Sequence, residues 1–233
     1  MSNDLHPAVQ FHDEKADEWE GAYERKDFGS RVDAVESALS GKDLQGQFWL
    51  DAGCGAGNLS RLLCGRGATV VGVDASPKMI AYAQANCADV SSASFRRIDS
   101  IEKLPWPDAT FDGILCSSVI EYVDDPIACL AEISRVLKER ACVLVSIPNR
   151  MSLIRKLLKL SFVVSERVCG QGIPNYMALS KHEFSHDAFE ELLAKVGLES
   201  KRHSYCGGLL ASRWSHVATI GTLELVVASK VPV

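Results

Sequence analysis

None of the eight cysteines, at positions 54, 64, 87, 116, 129, 142, 169 and 206, is paired in a C-x-x-C spacing. Scattered thiols in apolar runs exclude a disulfide framework and a zinc knuckle, and fit reduced, buried side chains of a cytoplasmic protein. No uninterrupted apolar run is long enough to span a bilayer. The opening segment, Met1 to Pro7, lacks the basic and apolar regions of a secretory signal. Positive charge is also short: 25 Lys and Arg face 30 Asp and Glu, for a net charge of −5, so no general attraction to nucleic acid is expected. No repeat or low-complexity tract breaks the 233 residues. What is present, 47% apolar and 24% charged residues, suits one compact domain over 1–233 with a sizeable core.

The first stretch, Phe11 to Leu39, is charged with aromatics at helical spacing, Trp19 and Tyr23 being four apart. It predicts two short helices broken near Asp27-Phe28-Gly29, a helical cap over 8–40. An alternation of strands and helices then begins. Phe48-Trp49-Leu50 reads as a strand, a glycine-rich turn follows, and a helix runs from Asn58 to about Arg66. Thr69 to Val73 is a second strand ending at Asp74. Ser76-Pro77 opens the next helix, serine as N-cap and proline at the first helical position. Further strands are expected at Ser94 to Arg97, Phe111 to Cys116 and Cys142 to Ile147, with a helix over Asp124 to Leu137. This rhythm means an α/β fold with a doubly wound, mostly parallel sheet. After Pro148 it breaks, leaving 148–185 as an insertion that forms a lid or acceptor-binding segment. A helix from about His186 to Val196 follows. Glu199 to Tyr205 and His216 to Ser229 read as an antiparallel hairpin at the sheet edge, for seven strands in all.

The chemistry is concentrated in Asp51-Ala52-Gly53-Cys54-Gly55-Ala56-Gly57, directly after the first strand and before a helix. Open parallel sheets bind ligands at their strands' carboxyl ends, and glycine lets backbone approach a ligand closely. The glycines read G-x-G-x-G, not the dinucleotide G-x-G-x-x-G. Asp51 would repel a pyrophosphate but welcome a positive ammonium or sulfonium. Asp74, 23 residues after Asp51, is placed to accept hydrogen bonds from both hydroxyls of a ribose.

On these residues the chain resembles the class I S-adenosylmethionine-dependent methyltransferases, nearest to the small-molecule branch that includes ubiquinone-type O-methyltransferases. The likeness is clear from about Phe11 to Asn149 and thins afterwards. It implies a Rossmann-like methyltransferase fold and S-adenosylmethionine as cofactor, S-adenosylhomocysteine as product, and methyl transfer to an oxygen or nitrogen of a small-molecule acceptor, the alternatives being a non-catalytic S-adenosylmethionine-binding module or a macromolecule methyltransferase. By resemblance, Asp51, Gly53 and Gly55 hold the methionine part and Asp74 the ribose. Ala75 and Met79 flank the adenine, and Asp99-Ser100-Ile101 meets its amino group. Cys116-Ser117 lies beneath the methionine part, and Arg31 holds its carboxylate. Tyr23 is a candidate to close the pocket. Many relatives have histidine where this chain has Tyr122, so a histidine base there is not expected.

Displacement at a sulfonium methyl needs alignment in a dry pocket, and a hydroxyl acceptor also needs a base. Glu121 and Tyr122, after the fourth strand, and His182 or His186, from the C-terminal segment, are the candidates. His182-Glu183-Phe184-Ser185-His186 spells the zinc-peptidase signature H-E-x-x-H. That chemistry needs both histidines on one helix face, whereas Ser185 reads as an N-cap and leaves His182 in the preceding loop. No metal is therefore expected. The basic, amphipathic stretch over 150–160 suits a lid, an ordinary half-buried helix, or a peripheral membrane contact.

Overall fold

The computed structural model describes residues 6–16, 26–170, 175–207 and 217–232. Helices α1 (Pro7–Glu14) and α2 (Lys26–Ala38) precede β1 (Phe48–Ala52), α3 (Asn58–Gly65) and β2 (Thr69–Asp74). Then come α4 (Pro77–Asn86), β3 (Ala93–Arg97), β4 (Phe111–Ser117), α5 (Pro126–Val136) and β5 (Leu137–Pro148). After β5 follow α6 (Leu153–Cys169), a 3-10 turn at Asn175–Ala178, α7 (His186–Lys195), β6 (Leu198–Cys206) and β7 (Leu223–Lys230). The seven strands form one sheet in the order β3-β2-β1-β4-β5-β7-β6. The first five are parallel, and β7 runs antiparallel to both β5 and β6. The doubly wound sheet with an antiparallel edge hairpin is thus as expected, with the last strand lying inside the sixth.

Helices cover both faces. Phe111, Ile114, Leu130, Ile133, Val145, Phe189 and Val226 meet on one side; Val35, Leu39, Trp49, Leu63, Leu144 and Leu225 meet on the other. Alternation along each strand sends neighbouring side chains to opposite layers. Trp49 is fully buried because Gly113 on β4 leaves its ring room: a Cβ there would lie 2.3 Å from the indole.

Local signals set the helix ends. The Ser76 and Ser185 hydroxyls accept from Met79 N and Ala188 N, capping α4 and α7, and Asp125 accepts from Ile127 N and Ala128 N at α5. Asp13 reaches from α1 to the start of α4, accepting from the Ser76 hydroxyl at 2.6 Å and from Lys78 N at 3.1 Å. The carboxylate faces the positive end of the α4 dipole and anchors α1 to the sheet domain. One expectation is corrected: residues 27–29 do not interrupt a helix but lie within α2. A helix-interior glycine costs about 1 kcal/mol, less than the burial of Val35, Ala38 and Leu39 on the sheet returns. Trp19 and Tyr23 lie outside the described residues. No described helix is long and apolar enough to cross a membrane.

Candidate active site

The turn after β1 is built by three glycines in the left-handed region, Gly53 (φ +78°), Gly55 (φ +51°) and Gly57 (φ +83°). Gly53 N and Cys54 N both donate to the Val73 carbonyl, at 2.8 and 2.9 Å, which ties the turn to the end of β2. A Cβ on Gly53 would stand 2.1 Å from Val119 Cγ2, whereas one on Gly55 would meet nothing within 4 Å. The first glycine allows close packing; the second leaves a cradle open. Asp74 closes the turn from the neighbouring strand: Gly55 N donates to its Oδ2 at 3.0 Å and Ser76 N to its Oδ1 at 2.9 Å. Burial raises the Asp74 pKa, and these backbone donors oppose the rise. Each oxygen keeps acceptor capacity for a ligand.

Above this turn lies a cavity of about 960 Å³, at the upper end of the range for small-molecule sites. Gly53, Gly55, Asp74, Ala75 and Met79 line one part, and Asp99, Ser100 and Ile101 another. Asp99 is almost wholly exposed and bonds Arg97 at 3.1 Å, which places it at the rim. The donor set and the open glycine cradle fit the sugar and amino-acid parts of S-adenosylmethionine.

Further in, Arg31, Glu121, Tyr122 and Arg155 share the same cavity. Glu121 is 4% exposed, and its Oε2 has no hydrogen-bond partner among the described residues. Burial lifts its pKa to about 7, while the nearby guanidiniums of Arg31 and Arg155 pull the other way. Its carbonyl accepts from Lys181 N at 2.8 Å, joining β4's following loop to the segment before α7. Arg155, on α6, is itself buried, and it donates to Ser180 Oγ at 2.7 Å and to Glu183.

Several expected residues sit elsewhere. The Asp51 carboxylate is 1% exposed and accepts from the Ser60 hydroxyl at 2.6 Å, behind the turn rather than on the cavity wall. Burial pushes its pKa to about 7, opposed by Ser60 and assisted by the Asp74 charge. Cys116 is fully buried and off the cavity; strand alternation gives that wall to Ser117, and Ser118 joins it just past the strand at φ +57°. His186, a candidate base from the sequence, lies outside the cavity, its Nδ1 2.6 Å from Glu224 Oε1. His182 also lies off the cavity, its Nε2 3.0 Å from the Val123 carbonyl. The two histidines of H-E-x-x-H therefore serve different partners, and Glu183 between them is held by Arg155 and Lys159.

Among the cavity residues, His12 was given no role by the sequence reading, and Arg155 was met only as part of the basic 150–160 stretch. The His12 ring meets Tyr122 edge-on, centroids 5.1 Å apart, and burial lowers its pKa to about 4, so it is neutral at pH 7. Its only sequence signal is the spacing of Ala8, Val9 and His12 along one face of α1, all three on the cavity.

Residues 50–145 match the family described as "Methyltransferase domain". Ubiquinone biosynthesis O-methyltransferase of Xanthomonas oryzae pv. oryzae is 33% identical over 121 residues, covering 52% of this chain and 49% of the relative. The protein of the same name from Paracidovorax citrulli is 33% identical over 143 residues, 59% of each. The chain thus spans only about half the length of the curated relatives it matches. In fold, a putative methyltransferase of Haloferax volcanii, solved with a methyltransferase activator, superposes with TM-score 0.73 at 19% identity, over 97% of this chain and 98% of that one. Magnesium protoporphyrin IX methyltransferase of Synechocystis, with bound S-adenosylhomocysteine, gives 0.66 at 20% identity, over 86% and 82%.

Proposed function

We propose that the chain, whose residues 50–145 match a methyltransferase domain, is a class I S-adenosylmethionine-dependent methyltransferase that methylates a hydroxyl oxygen of a small molecule. The observation that carries this is a single cavity with Asp74 and the glycine turn at one end and Glu121 at the other. When bound, S-adenosylmethionine supplies an electrophilic methyl group on a sulfonium. Asp74 would grip the ribose hydroxyls, Ala75 and Met79 the purine faces, and the 99–101 segment its edge. Arg31 is suited to the cofactor's carboxylate. Asp51 acts through Ser60 and the turn as a positioning residue.

Glu121 is the proposed base. A carboxylate with a pKa near 7 is matched to removing a hydroxyl proton at neutral pH. His12, Tyr122 and Val123 line the same cavity, and a bound acceptor beside them would be partly shielded from water. Oxygen is favoured over nitrogen because a base stands ready and the relatives above are named O-methyltransferases.

The 148–185 segment is read as a lid over the acceptor end. Ile154, Arg155 and Leu158 on α6 line the cavity, while Leu153, Leu157, Leu160, Val164 and Val168 form an exposed stripe away from it. Lys156 and Arg167 flank that stripe by helical spacing, whereas Lys159 is held by Glu183. Such a helix can rest on an anionic bilayer while its inner face receives a lipid-linked acceptor. The test is incubation with S-adenosylmethionine and phenolic acceptors, free and lipid-linked, following S-adenosylhomocysteine by mass spectrometry. Product should form and should fall sharply in Asp74→Asn and Glu121→Gln. Absence of cofactor binding by calorimetry in the parent would end the reading.

A further inference from the structure

Away from the cavity, two imidazoles and a carboxylate converge where α7 meets the edge of the sheet. His186 is the first residue of α7, His203 lies on β6, and Glu224 lies on β7. The antiparallel register pairs Tyr205 with Glu224 and His203 with Val226, so His203 and Glu224 are diagonal neighbours on the face that α7 covers. Glu224 is 1% exposed, although it interrupts an apolar strand, Leu223 to Ala228, where a charged residue is costly unless it has a partner. His186 Nδ1 is 2.6 Å from its Oε1, and the His186 and His203 rings are 4.1 Å apart. One ligand atom from each of the three residues lies within 4.8 Å of the others. Glu190, one turn along α7, lies 3.2 Å from the other ring nitrogen, His186 Nε2.

We infer that His186, His203 and Glu224 form a divalent transition-metal site, of zinc-like preference, that pins the start of α7 to the β6–β7 edge. Two imidazoles and a carboxylate are a borderline donor set suited to zinc, with water completing four positions and Glu190 holding the other ring nitrogen of His186 as an outer partner. A tetrahedral ion with bonds of about 2 Å brings its ligands to roughly 3.3 Å apart. Rotation of two partly exposed imidazoles makes that closure. None of the three ligands lines the cavity, so the role is structural: the ion would fasten the element that follows the lid segment. A metal also accounts for the pairing of two histidines at one acid. The His186–Glu224 pair needs only one of them, while an ion uses a nitrogen from each.

The experiment titrates chelator-treated full-length chain with zinc by calorimetry and with cobalt by absorption spectroscopy. One equivalent of zinc should bind and raise Tm. Cobalt should show four-coordinate bands without the thiolate charge-transfer feature, which separates this site from the eight cysteines. His203→Ala, at an exposed position, should fold with an unchanged circular dichroism spectrum. It should weaken zinc by more than the roughly 10- to 100-fold typical of losing an outer-shell partner, and His186→Ala should do likewise. A protein that takes up no stoichiometric zinc, that binds it equally well in both variants, or that shows thiolate bands overturns the inference and leaves a plain His–Glu ion pair.

Discussion

Glu121→Gln probes stability and catalysis in one substitution, and the first readout needs no acceptor. The parent carboxyl has a pKa of about 7 instead of the ordinary 4.5 because it is buried. The folded state therefore holds a proton between pH 4.5 and 7 that the unfolded chain has released, and stability falls as pH rises through this window. At about 1.36 kcal/mol per pH unit, the gap corresponds to roughly 3 kcal/mol lost above pH 7. Glutamine fills the same space without a charge to desolvate. Urea denaturation should find parent and variant similar at pH 5 and the variant more stable by roughly 3 kcal/mol at pH 8. Activity should move the other way. The parent's kcat/KM should climb as Glu121 ionises near pH 7, and the variant's should be flat and about 100- to 10,000-fold lower. A stability difference equal at both pH values would refute the claim of a desolvated carboxylate. A rising limb retained by the variant would move the base elsewhere.

Three further outcomes follow from the geometry. Gly53→Ala sets a methyl 2.1 Å from Val119 at φ +78°, which should lower stability by about 2–5 kcal/mol and weaken cofactor binding; Val119→Ala in that background should recover part of both, read by Tm and calorimetry. Ser60→Ala removes the hydroxyl that donates to Asp51 at 2.6 Å and should cost about 1–3 kcal/mol at pH 8, with a smaller loss at pH 5 where the carboxyl is protonated. On α6, Leu157→Glu with Val164→Glu should abolish co-sedimentation with anionic vesicles, and parent binding should weaken with salt; a parent that stays in the supernatant contradicts the membrane contact.

The framework was legible because it depends on local rules. The turn at Asp51 to Gly57, the acid at Asp74, the caps at Ser76 and Ser185, and the strand–helix alternation are all set within a few residues. Ser185 alone was enough to separate His182 from His186. What stayed hidden depends on long-range packing. His12 reaches the cavity because Asp13 docks α1 on α4. Arg155 was one of several cations in the 150–160 stretch, and only the packing of α6 turns it toward Ser180 and Glu183. Cys116 missed by one position, since side-chain alternation exchanges core and cavity at each residue. The His203–Glu224 pairing needs the register of β6 on β7, and neither segment announces it. The break expected at residues 27–29 reflected local propensity that burial of α2 overrode.

The placement of β7 between β5 and β6 has a consequence for synthesis. Strand β6 is translated before β7, yet it touches the sheet only through β7. Until Leu223 to Lys230 emerge, a nascent chain carries β5 with a bare outer edge and β6 with nowhere to add. The glycine turn, β1, β2 and β4 can assemble during that interval, while the apolar margin of β5 stays open to foreign strands. Ribosome-stalled intermediates ending before residue 223 should therefore be chaperone clients, and completion of one eight-residue segment seals the sheet.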